Sequence, residues 1–353
     1  MNNRLIVRAI TFFTGSAQSN KELEDEMNFA LNTLNEVEGV LTKNNYPIFS
    51  KRVSLPGVPV NFAGRLLDYV EKRLLISIGY LRFNSVDEIV DLAYNGISVP
   101  ILHEAGPEIE KAKLYSEVFH RASAKDPVAA TRIAVGFHNR DFYTPYFPDS
   151  SSRSLRAIGL AFLYPKLLVE MVRGGRSVED SLKEVFRGIH NAVKLVKESI
   201  ALPVVVDYSL SPWMENSVAE LYEVSGYSLL EPGALYYTWM VNKLIYDYSN
   251  KEIATGFNEV MLPYAEDSIL MDYGAKGLIK AKDFLAYAST CVAGVDMLVV
   301  PEGKDKLTQL IASAMALANT KSRPLSLRVI PVASKPEDII DLKRFGKVPV
   351  LSY

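Results

Sequence analysis

The chain holds a single cysteine, Cys291, and its setting is the most chemically suggestive stretch of the sequence. It lies in FLAYASTCVAGVDMLVVPEG (284–303), between a helix-like approach and the apolar run MLVV (297–300), which Pro301 stops. So short and β-branched a run suits a strand buried on both faces. Residues 290–294 then form the turn feeding that strand, with Gly294 where the backbone needs positive φ or close approach. A thiol on such a turn reaches a cavity as nucleophile or acid, and Asp296 follows at the start of the strand. A buried structural thiol is the competing reading, because cysteines outside disulfides rank among the most buried residues.

Four other places carry residues of the right type. In PVVVDYSLSP (203–212) the triple valine reads as a core strand, and Asp207 and Ser209 share one face by the two-residue period. They stand at the strand's C-terminal end, where catalytic or binding residues of α/β barrels sit; the alternative is that Asp207 caps the turn or pairs with a core arginine. Glu259, in GFNEVMLP (256–263), is an edge acid or ligand, or else an ordinary surface glutamate. Arg328 interrupts LSLRVIP (325–331) and must face a pocket or pair with a carboxylate, since an unpaired buried guanidinium costs several kcal/mol. Arg52, near the exit of PIFSKRVS (47–54), is a pocket cation or a solvated surface arginine. The expected site therefore takes Cys291, Asp207 and Glu259 as catalytic groups. Ser209, Asp296, Arg328 and Arg52 hold the substrate, with Arg328 clamping an anion.

Other chemistries lack their signatures. Four histidines (103, 120, 138, 190) without paired spacing, and no second cysteine, speak against a metal centre. There is no Walker loop, no strand followed by G-x-G-x-x-G, and Ser211-Pro212-Trp213 lacks the glycines of a nucleophile elbow. No cofactor is assigned. His103 and Glu104 follow the run SVPIL (98–102) and so reach a strand's C-terminal edge, while His138, Arg140 and Asp141 open the aromatic segment HNRDFYTPYFPDSSSR (138–153), which reads as a lid, a binding loop or an exposed connector.

The elements that must position these groups alternate. Strands are expected at 5–13, 47–54, 76–81, 98–102, 131–138 and 204–206, then, with a turn, within 256–263, and at 297–300, 325–331 and 348–351. Between them fall helices, including capped starts at Ser85 and Ser177 and two long helices at about 155–171 and 177–199. This is the pattern of βα repeats with mainly parallel strands. It predicts one α/β barrel-like domain over 1–353, in pseudo-halves of about 1–150 and 200–353 around a helical middle, 151–200. Gly226 ends a helix over 216–223 as its C-terminal cap. The aromatic stretch 236–240 forms either core or an oligomer interface.

With 353 residues, 48% hydrophobic and 23% charged, a sizeable core is available. A formal charge of −2 gives no electrostatic reason for nucleic acid or membrane partners. One cysteine makes no internal disulfide, and no stretch reads as a signal peptide or membrane span, so a cytoplasmic protein is expected. Two glutamines, Gln18 and Gln309, lean toward a heat-adapted source.

The C-terminal half resembles the uncharacterised DUF711 family, also called UPF0210. The resemblance is carried by VDYSLSP (206–212), NSVAELYEVSG (216–226), MLPYAED (261–267), STCVAGVDMLVVPEG (289–303) and LRVIPV (327–332), and more weakly by SKRVSL (50–55). It implies a pyruvate formate-lyase-like barrel of two five-stranded halves, distantly related to glycyl-radical enzymes, with the cysteine turn near the interior. It brings no established activity. The chain is shorter than bacterial members and carries the aromatic loop after His138 in place of their glycine-rich segments, so an incomplete ten-stranded barrel is expected. No glycine loop follows Cys291, and Gly226 precedes it, so glycyl-radical chemistry is not expected. The resulting expectation is a small-molecule enzyme for an anionic metabolite, its pocket in the barrel interior around Cys291. The alternative is a non-catalytic metabolite-binding or regulatory protein working as a homo-oligomer.

Overall fold

The computed structural model describes residues 5–57, 63–71, 74–80, 85–291, 294–321 and 323–353. Its strands are β1 (Ile6–Phe13), β2 (Lys51–Ser54), β3 (Leu75–Ser77), β4 (Ile97–Leu102), β5 (Ile133–Phe137), β6 (Ala157–Leu163), β7 (Val204–Asp207), β8 (Leu298–Pro301), β9 (Leu325–Leu327), β10 (Val329–Val332), β11 (Ile339–Asp341) and β12 (Lys347–Pro349). Eight of them form one curled sheet in the order β7-β6-β1-β2-β3-β4-β5-β9. Neighbours among β1 to β5 are parallel, as strands joined by helical crossovers must be; β6 meets β1, and β9 meets β5, antiparallel. The sheet is thus a half-barrel of βα repeats, as the alternating pattern predicts.

Backbone hydrogen bonds span the remaining side. Val206 N donates to Ile253 O and Thr255 N to Val206 O, both at 2.8 Å, and Leu210 N to Glu259 O at 3.1 Å. Tyr264 N then bonds Asp296 O at 2.9 Å, just ahead of β8, which pairs in parallel with β10. Segment 253–261 occupies the place of a strand but makes only isolated bridges. Arg328 divides the expected strand 325–331 into β9, on the large sheet, and β10, beside β8. The charged residue therefore sits where the chain passes from the large sheet to the β8–β10 pair.

Helix starts follow the local chemistry. Ser85 Oγ accepts from Glu88 N at 3.1 Å and Ser177 Oγ from Asp180 N at 3.0 Å, as the capping patterns predict. Gly226, at φ 79°, follows the helix Val218–Val224, in the left-handed conformation of a C-terminal glycine. One expectation fails: 157–163 is strand β6, not part of a long helix. Its wholly apolar AIGLAFL is buried along its whole length between β1 and β7, and a Cβ on Gly159 would lie 2.5 Å from the ring of Phe13. A fully buried apolar run carries no periodicity to separate strand from helix, and β1 decides it. Among the described residues the middle helices are Pro165–Arg173 and Val178–Ser199. Tyr237 packs into the core from the helix Ala234–Tyr248, while Tyr236 and Trp239 stack on its exposed side at 6.3 Å. No helix of the described residues is long and apolar enough to cross a membrane. Parts of the expected second helix (62–75), the strand over 76–81 and the cysteine turn fall at 62, 72–73, 81 and 292–293, outside the described residues.

The aromatic segment after His138 fills the inside of the barrel. Pro145 O accepts from Thr11 Oγ1 and Arg52 Nη1, both at 3.1 Å; Ser150 Oγ reaches Ser54 Oγ at 2.9 Å; Ser152 N bonds Leu55 O at 2.9 Å. The small hydroxyls of β2, β3 and this plug meet because a side chain larger than serine would not leave room for a second chain inside the strands.

Candidate functional site

The expected site residues divide among three places. Asp207 ends β7 wholly buried and is surrounded by donors. Its Oδ1 accepts from Ser209 Oγ (2.5 Å), Ser209 N (3.0 Å) and Asn258 N (3.1 Å), and its Oδ2 from Thr144 Oγ1 (2.8 Å) and Phe257 N (2.9 Å). Burial raises its pKa, against these hydrogen bonds. Gly256, at φ 75°, is required here: a Cβ would stand 2.1 Å from Asp207 Oδ2. Asp207 and Ser209 share a face, as the strand period predicts, but they fasten the plug and segment 253–261 to β7.

The second place is the end of the barrel where β9 begins. Glu259 Oε2 lies 3.3 Å from Lys321 Nζ, and Oε1 pairs with Arg323 Nη1. Lys321 Nζ also donates to the carbonyl of Cys291 at 2.7 Å. Cys291 is fully buried in the main hydrophobic core, close enough to Tyr222 and Tyr287 to act on them electrostatically, and lines none of the described cavities. The turn does bring a close approach: a Cβ on Gly294 would meet Ala288 N at 2.5 Å. Cys291, Asp207 and Glu259 therefore do not converge on a common cavity.

The third place is a small cavity of about 40 Å3 in the barrel, where Arg52, Asp296 and Arg328 do come together. Arg328, released from the sheet at the β9–β10 joint, makes a fork on Asp296 (Nε–Oδ1 2.5 Å, Nη2–Oδ2 2.8 Å) and reaches Glu266 Oε1 at 3.0 Å. Glu266 Oε2 in turn binds Arg8 Nη2 at 2.5 Å. Burial alone would lower the pKa of Arg328, but Asp296 and Glu266 raise it. Burial would raise the Glu266 carboxyl, yet Arg328 and Arg8 hold it below its ordinary value. This buried relay is closed on itself, and its charges are compensated.

Two other groups around the same cavity, Arg52 and Asp149, stand outside that relay. Arg52 is 6% exposed, yet its described partners are neutral: Ser50 Oγ at 3.0 Å, Pro145 O at 3.1 Å and the face of Phe147 at 5.3 Å. Burial, with Arg8 and Arg344 adding repulsion, brings its pKa down to about 9. Asp149, 8% exposed and supplied by the plug, has an Oδ1 with no hydrogen-bond partner. Burial pushes its carboxyl up and Asp296 adds to that, while Arg328 and hydrogen bonding by Ser326 and the residue's own backbone pull it down, leaving it at about 6. Arg8 Nε is likewise buried without a partner. Sequence reasoning missed Arg8, Glu266, Arg344 and Asp149. Arg8 breaks an apolar strand just as Arg328 does, and Glu266 lies within MLPYAED, so both left a signal; Asp149 and Arg344 did not.

A larger cavity of about 730 Å3 opens at the C-terminal ends of β4 and β5, lined by His103, Glu104 and His138 among others. Its titratable groups already have partners. His103 is held between Tyr115 Oη and Gly106 O, both at 3.0 Å, His138 between Tyr80 Oη (3.2 Å) and Asn139 O (2.9 Å), and Glu104 pairs with Arg140 at 2.8 Å. Among the described residues no group of three or more His, Cys, Asp or Glu is disposed to hold a metal ion.

Comparison with known proteins places the chain in a family. A UPF0210 protein of Sulfurisphaera tokodaii is 26% identical over 392 aligned positions, covering 95% of this chain and 85% of the relative. A UPF0210 protein of Pyrobaculum arsenaticum is 28% identical over 247 positions, 64% of this chain and 55% of the relative, so the chain spans about half the length of that protein. One of Lacticaseibacillus paracasei is 28% identical over 169 positions, 45% of this chain and 38% of the relative. The relatives include archaeal and thermophilic species, in keeping with the scarcity of glutamine. The family profile described as Uncharacterised ACR (DUF711) matches residues 90–342, so Arg328, Glu266, Asp296 and Asp149 fall within it while Arg8 and Arg52 precede it. The match covers well over half of the sequence, and the chain accordingly belongs to the DUF711, or UPF0210, family.

Proposed function

We propose that the barrel interior binds a small anionic metabolite against Arg52, Arg328 and Arg8, and that the protein is an enzyme acting on it with Asp149 as the proton-exchanging group. The observation that carries this reading is Arg52: a buried guanidinium with only neutral described partners, at a small cavity ringed by three further arginines, Arg8, Arg328 and Arg344. Burying a cation with no carboxylate in direct contact costs free energy that the more distant Glu266 offsets only in part, and an incoming carboxylate would offset the remainder. Asp149 supports the catalytic half of the proposal, because a carboxyl with a free lone pair and a pKa near 6 can both give and take a proton close to neutrality. The centre of the proposed pocket is thus Arg328 and Arg52, not Cys291.

A second reading, a non-catalytic metabolite-binding protein, is favoured by one observation. Asp207, Glu259, Glu266 and Asp296 are all engaged by donors or cations, leaving Asp149 as the one acid at the cavity with an open oxygen among the described residues. Thermal-shift and calorimetric titration with small carboxylic acids, followed by turnover assays on those that bind, separates the two. The proposal expects binding that Arg52→Met abolishes, and turnover that Asp149→Asn abolishes while binding survives. Binding without turnover of any bound acid selects the second reading, and no binding by any carboxylate rejects both.

A further inference from the structure

The interior cavity does not stand alone. Beside it, at the end of the barrel where β3, β4 and β5 begin, lies an outer cavity of about 430 Å3, and the two share Leu75, Phe147, Arg328 and Arg344 as walls. The inner chamber, at about 40 Å3, has room for one small group such as a carboxylate and for little else. The outer one lies within the size range of metabolite pockets.

Their charges differ in kind as well as number. Around the inner chamber the guanidinium groups are buried and fixed, Arg328 by its fork on Asp296 and Arg52 by Ser50 and Pro145. The outer cavity, which shares the exposed Arg344, adds Arg132 and the exposed Lys343, against the single carboxylate of Asp126, which is already committed to Val128 N at 2.9 Å. Arg132 spends one nitrogen on Ala93 O at 2.9 Å, and Arg344 lies over the rings of Phe345 and Trp213 at 4.6 and 6.0 Å. A rigid buried fork suits a planar carboxylate, whereas several cations nearer the surface suit a bulkier, more highly charged group such as phosphate.

Resting on the anion site proposed above, we infer that its ligand is two-ended: a short acid whose carboxylate enters the inner chamber and whose phosphate or phosphonate is held in the outer one by Arg132, Lys343 and Arg344. Arg344, exposed and common to both chambers, stands between the two ends.

The test is calorimetric titration of the intact protein with 3-phosphonopropionate, propionate and propylphosphonate at pH 8. The two-ended probe is expected to bind at least about tenfold more tightly than either half, because joining two seated groups makes the second contact intramolecular. Arg52→Met should reduce it to the level of propylphosphonate. Arg344→Gln and Arg132→Gln, which remove cations outside the buried relay, should reduce it toward the level of propionate. Equal binding of 3-phosphonopropionate and propionate, with both lost in Arg52→Met, overturns the two-ended ligand and leaves the anion site standing. An advantage that persists in the double variant of Arg132 and Arg344 overturns the phosphate seat. Failure of all three probes to bind removes the underlying reading as well.

Discussion

Arg52 separates a ligand-binding residue from a structural one by the sign of its effect on stability. Its two hydrogen-bond partners keep other bonds without it: Pro145 O still accepts from Thr11, and Ser50 Oγ still donates to Arg8 O at 2.7 Å. Arg52→Met should therefore raise the unfolding free energy of the ligand-free protein by about 1–2 kcal/mol in chemical denaturation, as removal of an uncompensated buried charge does. A loss of stability would mean that Arg52 serves the plug and not a ligand. Asp149 gives a second test through pH. Its folded pKa, at about 6, lies above its ordinary 3.8, so the folded state holds the proton more tightly than the unfolded one. Its contribution to stability is thus greatest below pH 4, falls as pH rises through the window up to about 6, and amounts to a penalty on the order of 3 kcal/mol at neutrality. Asp207 and Asp296 are shifted the same way and still titrate in Asp149→Asn, so the quantity to measure is the stability of the wild type minus that of the variant, which should fall across this window. Cys291 sits in the core, and Cys291→Ser should cost about 1–2 kcal/mol by burying a hydroxyl, with ligand binding unchanged. Loss of binding without loss of stability would return the thiol to the site.

The elements of this fold were legible in unequal measure. Strands β4, β5 and β7 and the capped helices were readable because each has a local cause: a β-branched run ended by a turn, or a serine three residues ahead of an acid. The strand β6 was not, since AIGLAFL is apolar throughout and only its pairing with β1 fixes its form. Arg328 was recognised as a charge that must find a partner, but that its partners are Asp296 and Glu266, and that it breaks the strand to reach them, depends on residues 32 and 62 positions away. The cysteine turn shows the limit from the other side: a local setting that suits a reactive thiol does not reveal the core in which Cys291 is buried. Segment 253–261 shows the strongest coupling of element to site, because its glycine admits Asp207. Gly256→Ala combines a positive φ with a clash on a buried carboxylate, and about 3 kcal/mol of stability should be lost, measurable as a lowered denaturation midpoint. A neutral substitution there would mean that segment 253–261 does not close the barrel as described.

At the scale of the molecule, two halves of opposite strand direction meet at β1/β6 and β5/β9, and the acids and arginines of the interior come from both. Arg8 and Arg52 belong to the first half, Glu266, Asp296 and Arg328 to the second, and the plug that joins the halves brings Asp149. Barrel closure and site assembly are therefore one event, which explains why the site was not visible in any single stretch of sequence. The measurement that bears on this most directly is anomalous diffraction from crystals soaked in 3-bromopropionate, whose bromine marks the acid's position. The account predicts a bromine peak in the barrel beside Phe147 and Arg344, with the carboxylate turned toward Arg52, and its absence in Arg52→Met crystals treated identically. Bromine found only on the outer surface, with the interior filled by ordered water in both proteins, would contradict it.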